Sequence, residues 1–343
     1  MTPERFQAIT ARYPALKIAI VGDFCLDRYL EIDPARAETS LETGLPVHNV
    51  TRVRAQPGAA GTILSNVAAL GAGEIFPVGF CGEDGEGFEL RRALGALPGV
   101  QLDHFLTTPL RRTFTYCKPL VVEPGRPPRE LSRLDSKNWT PTPPPVAGAL
   151  AAATSALLAR VDSVIVMDQV DVAETGVVTQ ALLGELGRAT QGCAVPVIAD
   201  SRRGLRGFPP VIFKMNAAEL AALTGAQGEL TLARVGTAAA QLARQNQRMV
   251  FVTMAERGLL GASPEGALEH VGALPLRGAI DIVGAGDSVT ANLALALAAG
   301  ATLREALELA ALASSLVIHQ LGTTGTASVA QMQALLTVPG CSC

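Results

Sequence analysis

Hydrophobic positions along the chain follow two periods. Lys17 to Gly22 (Lys-Ile-Ala-Ile-Val-Gly) is a continuous apolar run closing on Gly-Asp, the pattern of a strand buried on both faces. Val161 to Asp168, Val195 to Asp200 and Met249 to Thr253 repeat it. Between them lie stretches with helical spacing: Val146 to Arg160, Glu174 to Thr190 and Leu230 to Asn246. Strands alternating with helices predict βαβ units and a parallel sheet covered on both faces. Several of these strands end in Asp or Thr, and ligands of open α/β sheets bind beyond those carboxyl ends.

Two stretches break the alternation. Residues 31–55 and 101–135 read as strands, with Val47 to Val53 and Arg112 to Cys117 alternating apolar and polar. Glu123 to Arg129 and Pro141 to Pro145 are Pro-rich loops, the second a linker back to the main body. No internal repeat is present. The 343 residues are therefore read as one α/β domain. Composition supports this, since 48% hydrophobic against 17% charged residues allows a large core. A net charge of −3 without a block of like charges points away from nucleic acid and membrane surfaces. Met1 to Pro14 is mixed polar and charged, so no leader is read there and a cytoplasmic protein is expected. The apolar run Leu309 to Ile318 is far short of the roughly 20 residues of a membrane span. Six cysteines (25, 81, 117, 193, 341, 343) and four histidines lack metal-ligand spacing; free buried thiols are expected, with Cys341 and Cys343 in a frayed tail.

The chemistry concentrates in Asp281-Ile282-Val283-Gly284-Ala285-Gly286-Asp287-Ser288, which opens the helical stretch Val289 to Ala299. Two glycines around an alanine permit a tight turn with converging N–H groups, and the helix aims its positive end at the same point. That is an anion hole, and Asp287 stands in its first turn. An anion hole beside a carboxylate suits phosphoryl transfer to an alcohol, with Asp287 as the base. The helix end is expected to keep Asp287 ionised, and Gly284, Ala285 and Gly286 to hold phosphoryl oxygens through their N–H groups. Gly-rich turns before helices are common, so the octapeptide alone leaves a structural reading open.

Asp-x-x-Gly-Ala-Gly-Asp before a helix resembles the catalytic motif of the ribokinase-like sugar kinases, the PfkB carbohydrate kinase family. A second family motif lies upstream, Pro57-Gly58-Ala59-Ala60-Gly61-Thr62 followed by Asn66-Val-Ala-Ala-Leu-Gly71. The resemblance runs from about Lys17 to about Thr337. It implies a ribokinase-like parallel-sheet sandwich with a small β-sheet lid built from the two aberrant stretches and often shared across a homodimer. It also implies ATP, Mg²⁺, a monovalent cation such as K⁺, and a sugar or sugar phosphate as acceptor. By the same resemblance Asp281 helps bind the monovalent cation with carbonyls around Gly322 to Thr326, although an Asp there also serves as a loop cap. Asp27 holds sugar hydroxyls, and Asp23, Gly58, Thr62 and Asp168 line the substrate side. Asn216 and Glu219 order Mg²⁺ through water, although Asn-x-x-Glu is equally a capping box. Thr253 and Gly258 contact the nucleotide.

This chain departs from its relatives in places. Ala59 replaces the second glycine of Gly-Gly, and Thr62 stands where relatives have Asn, which puts substrate choice on Thr62. Ala255 replaces a frequent Gly, and Ala311 stands where relatives often place Asn or His near the adenine. The branch that looks most similar is the heptose-phosphate kinases, through Gly22-Asp23 to Asp27-Arg28-Tyr29, Arg133-Leu134-Asp135 and Leu321-Gly322-Thr323. Those relatives carry lysines where this chain has Gln169-Val170-Asp171 and Arg202-Arg203, so an anionic substrate held differently is expected. The alternatives are a nucleoside kinase of the same fold and a catalytically silent sugar-binding relative. Neither G-x-x-x-x-G-K-[ST] nor G-x-G-x-x-G occurs, which leaves P-loop and Rossmann readings without support.

Overall fold

A computed structural model describes residues 1–337; Cys341 and Cys343 lie outside the described residues. The main sheet has nine strands, in spatial order 268–271, 259–262, 250–253, 212–216, 197–201, 163–168, 17–22, 74–82 and 105–108. Only strand 259–262 runs against the others, pairing antiparallel with both of its neighbours. The rest are parallel, as the unbroken apolar runs predict. The period of two sorts each strand between two cores. Ile18 and Ile20 face the helices Ala60–Ala69, Ala285–Ala298 and Leu303–Val317. Ala19 and Val21 face Pro144–Leu158, Gln180–Ala189 and Leu232–Asn246.

The first strand does not stop at the sheet edge. Lys17–Gly22 lies in the main sheet; after Asp23 the chain continues as Phe24–Ile32 in a second sheet, ordered 134–136, 115–121, 24–32, 50–59, with Arg129–Glu130 on 115–121. Asp23 is the joint. Its amide donates to the Met167 carbonyl at 3.1 Å, and its own carbonyl accepts from Ala60 at 3.1 Å. Its buried carboxylate accepts from Gln169, Val170 and Val177 at 2.8, 3.3 and 2.7 Å.

That joint also corrects two expected boundaries. The helix expected from Glu174 begins only at Gln180, with Thr179 as its N-cap. Residues 174–179 are held irregular because the Val177 amide serves Asp23 and the Gly176 carbonyl accepts from the Thr142 hydroxyl at 2.6 Å. The small sheet starts at Phe24, ahead of the expected residue 31, and Phe105–Thr108 extends the main sheet instead. Cross-strand pairing overrides the local alternation that suggested one continuous extra unit. Among the described residues no helix is long and apolar enough to cross a membrane.

Strand Val50–Ala59 runs straight into helix Ala60–Ala69, and the turn is made at Ala59 with φ 55° and ψ −119°. This conformation belongs to glycine, since a Cβ is crowded there. The position where relatives carry glycine is thus strained by its methyl group. Ala59→Gly is expected to stabilise the fold by about 1 kcal/mol, the relief of strain exceeding the entropy gained by the unfolded chain. Urea denaturation would show a raised midpoint; an unchanged or lowered one would mean that Ala59 carries no strain.

Candidate active site

The Gly284 turn takes φ 82°, and helix Ala285–Ala298 begins immediately after it. The Ala285 amide is occupied by the Ile282 carbonyl at 3.2 Å, and Ser288 returns to Gly284 at 3.0 Å. Among the described residues the amides of Gly284, Gly286 and Asp287 have no backbone partner. The amides left free at this turn therefore differ from the expected set: that of Asp287 is free and that of Ala285 is not. Thr62 and Thr324 flank this turn. A Cβ on Gly284 would lie 3.5 Å from the Thr62 methyl and 3.4 Å from Thr324 Cβ.

A lysine lies beneath the loop. Lys214 is buried, with its Nζ 2.7 Å from Asp200 and 3.1 Å from where a Cβ on Gly286 would sit. The Thr290 hydroxyl donates to the same Asp200 oxygen at 3.3 Å. Burial alone would lower the Lys214 pKa, but the Asp200 carboxylate outweighs it and the pKa is raised. Asp287 is not kept fully ionised by the helix end. Burial pushes its pKa up, to about 7; Lys214 opposes the shift, and the Asp200 and Asp27 carboxylates add to it. Part of its surface stays open to the site, yet the surrounding protein excludes most of the water that would stabilise the charge.

Asp27 enters from the small sheet. It is buried beside Gly58, where a Cβ would lie 2.7 Å from its Oδ2 and 2.7 Å from Cys25 Sγ. Its Oδ1 pairs with Lys118 Nζ at 3.1 Å. Gln56, on the neighbouring strand, ties the small sheet to the loop behind the turn: its amide donates to Thr324 at 2.8 Å and its oxygen accepts from Thr323 at 3.3 Å.

Of two expected substrate contacts, one is committed to the fold on both oxygens and the other on one. Asp23 has both carboxylate oxygens engaged by backbone amides, so it serves the joint. Asp168 accepts from Ser201 and Arg203, each at 2.8 Å, through Oδ2; its buried Oδ1 has no partner. Burial, with Asp23 nearby, raises the Asp168 pKa to about 6. Arg203 is thereby tied to the fold.

Asp281 accepts from Val283 at 3.1 Å and Gly322 at 3.2 Å, which caps its own loop and places it beside residues 322–326. Asn216 and Glu219 form the reciprocal capping box at 2.9 and 2.7 Å, leaving one Glu219 oxygen and the Asn216 amide nitrogen without a protein partner. Thr253 pairs in register with Asn216 on the adjoining strand. Gly258, at φ 87°, is required by its turn: a Cβ would meet the Val271 carbonyl at 2.0 Å. Ala255 stands left-handed at φ 51°, again where relatives favour glycine. Among the described residues no group of three or more His, Cys, Asp and Glu side chains could hold a metal ion.

Sequence reasoning had passed over Lys214, Asp200, Lys118 and Gln56. Lys214 had a signal: a lysine within the apolar strand Ile-Phe-Lys-Met-Asn is seldom buried without a partner. Lys118 and Gln56 had none, because their roles arise from strands distant in sequence.

The sequence profile described as pfkB family carbohydrate kinase matches residues 17–330. The chain is 33% identical to the bifunctional protein HldE of Azorhizobium caulinodans over 310 residues, 89% of this chain and 61% of that protein. The HldE of Gluconacetobacter diazotrophicus is 31% identical over 325 residues, 94% and 64% of the two chains. The chain thus spans less than two thirds of these curated relatives. In structure it resembles Arabidopsis thaliana ribokinase complexed with ribose and ATP (TM-score 0.68, 20% identity, 94% of this chain and 99% of that one). It also resembles Escherichia coli phosphofructokinase-2 in complex with potassium (TM-score 0.67, 20% identity, 93% and 97%). These structural likenesses establish the ribokinase-like fold.

The raised Asp287 pKa has a consequence for stability. Between its ordinary value of 3.8 and about 7 the native state keeps a proton that the unfolded chain has lost. Stability is therefore lost as pH rises through that window. Asp287→Asn removes the effect, so the variant should melt above the wild type at pH 8 and close to it at pH 4.5. Thermal melts at the two pH values test this; an equal gap at both would show that Asp287 titrates normally.

Proposed function

From the premise that this chain belongs to the pfkB family of carbohydrate kinases, we propose that it transfers the γ-phosphoryl group of ATP to a hydroxyl of a sugar phosphate, with Asp287 as the base. The observation carrying this reading is the conjunction at one helix end of three unpartnered amides, a buried ammonium and a carboxylate of raised pKa. A base titrating near neutral pH takes a hydroxyl proton effectively while remaining partly ionised at rest. The amides of Gly284, Gly286 and Asp287, with Lys214, are suited to the charge that spreads over the transferring oxygens.

Asp27 receives the acceptor sugar, close to the Gly58 backbone, and Thr62 bounds the site on the helix side. Asn216 and the free Glu219 oxygen would hold Mg²⁺ through water, which suits a hard cation that keeps its hydration. Mg²⁺ would supply neutralisation of phosphate charge. Asp281 and the 322–326 carbonyls would hold a monovalent cation behind the loop. Thr253 and Gly258 would border the nucleotide. The small sheet would serve as a lid and dimer contact; exposed Leu41, Leu45, Val50 and Val53 on its outer strands and loop support that role. We place the protein in the cytoplasm.

The choice of a phosphorylated sugar rests on charges beside Asp27. Tyr116 is its register partner on the next strand. Arg133 lies 4.4 Å and Lys137 5.7 Å from the Tyr116 ring centre. Arg202 approaches the same group. Asp135 pairs with Arg133, while Asp171 is shared by Lys137 and Arg202 at 2.7 and 3.3 Å. Arg133 is matched by Asp135 with Glu130 near it, whereas Lys137 and Arg202 share the single carboxylate of Asp171, which leaves positive charge for a ligand anion. The resemblance to heptose-phosphate kinases makes a heptose phosphate the first acceptor to try.

Asp287→Asn is expected to lower kcat by about 10²–10⁴ with little change in the KM for ATP. A coupled ADP-release assay over sugars, sugar phosphates and nucleosides measures it, and a wild-type-like kcat removes Asp287 from the role. In the same assay Lys137→Met combined with Arg202→Gln should raise the KM for the phosphorylated acceptor about tenfold or more, and leave that for its neutral parent sugar unchanged. A wild-type preference for the neutral sugar would end the anionic-substrate reading.

A further inference from the structure

The face of the small sheet that carries Asp27 also carries Tyr29, Tyr116 and Lys118, because residues two apart share a face and Asp27 and Tyr29 register with Tyr116 and Lys118. Lys118 is enclosed there. Its Nζ lies 3.1 Å from Asp27 Oδ1 and donates to the Tyr29 hydroxyl at 3.3 Å. Tyr29 is itself fixed: Arg54 lies 4.7 Å from its ring centre and is anchored by Glu31 at 2.6 Å. An ammonium has three donors. Two are spent on Asp27 and Tyr29, and the third has no acceptor among the described residues. Asp27 is in the complementary position, with Oδ1 held by Lys118 and Oδ2 without a donor among the described residues. The pair therefore presents one vacant acceptor and one vacant donor, side by side, on a rigid support.

We propose that Lys118 is a specificity-determining residue that reads, together with Asp27, a vicinal diol of the acceptor. One hydroxyl donates to Asp27 Oδ2, and the oxygen of its neighbour accepts from the third N–H of Lys118. With Nζ 3.1 Å from Oδ1 the two groups are close enough for neighbouring hydroxyls to reach both, and an acceptor lacking either hydroxyl leaves a desolvated charged group without its partner. This inference rests on the reading of the site as a sugar site. It adds the requirement that two neighbouring hydroxyls be recognised jointly, by groups from two strands.

The test is binding in the absence of nucleotide, measured by calorimetry. The probes are a panel of pyranoses, their 6- or 7-phosphates and their monodeoxy analogues, with phosphoryl transfer measured separately by ADP release. The wild type should prefer the diol over the matched deoxy sugar by about tenfold or more, and Lys118→Met should lose most of that preference. Lys118→Arg keeps the charge but offers a planar fork of different reach. It should bind with an altered ratio, and it serves as the readout if the methionine variant melts below the assay temperature. A diol-to-deoxy ratio unchanged in the folded variants, or absent from the wild type, overturns the proposal. Diol-selective binding without turnover would sink the kinase reading and leave the role of Lys118 standing. Turnover with an unchanged ratio in the variants would do the reverse.

Discussion

The buried carboxylate of Asp23 is the constraint on which the site depends. One strand serves two sheets, and the change of sheet happens at this residue. Its carboxylate is removed from water, a condition that raises its pKa and is tolerable because three backbone amides converge on it. Those amides come from the loop after strand Ser163–Asp168 and from the segment before helix Gln180–Ala189. A single side chain thus fixes the exit of the first strand against two other connections. Asp27, four residues on, inherits its position from that anchor, and so does the 50–59 strand that pairs with it and delivers Gly58, Ala59 and Thr62.

The electrostatics above the sheet follow a pairing rule. Asp27 is matched by Lys118 and Asp200 by Lys214, each pair enclosed and at hydrogen-bond distance. Asp287 is the carboxylate without an ammonium of its own. It lies near enough to Lys214 to be helped, and near enough to Asp200 and Asp27 to be hindered, and burial decides the balance. A group left over in this way titrates near neutrality, whereas each paired carboxylate has a positional task. Burial of the pairs is weak support for stability. Their value lies in arrangement: Lys214 beneath the glycine turn, Lys118 beside the Asp27 oxygen.

Strained backbone accompanies these contacts. Ala59 and Ala255 both stand at positive φ, one at the junction of the small sheet with its helix, the other in the turn after strand Val250–Thr253. Both replace glycines frequent in relatives. Natural chains tolerate such costs where the surrounding structure over-determines the conformation. Ala59 is held by sheet pairing with Phe24 on one side and by the start of a helix on the other.

The sequence by itself determined the parallel sheet, its two coverings and the glycine turn with Asp287, because each is written in local periodicity or in a contiguous motif. Lys17–Gly22, Ser163–Asp168, Val197–Ser201 and Val250–Thr253 were legible as apolar runs to within two residues at each end. It also supplied Asp27 and Gly58, through motifs lying near each other in the chain. Tertiary structure decided the rest. Asp23 and Asp168 looked like ligands at strand ends, but both Asp23 oxygens are consumed by backbone amides and Asp168 Oδ2 by a hydroxyl and a guanidinium brought in by other connections. Helix Gln180–Ala189 was shortened for the same reason. Lys118 meets Asp27 across a parallel ladder between residues far apart in sequence, and the ionisation of Asp287 is set by burial and by three groups from three strands. Periodicity records which face a residue presents. It carries no record of which distant charge will be waiting there, and that is what fixes a buried group's partner and its proton.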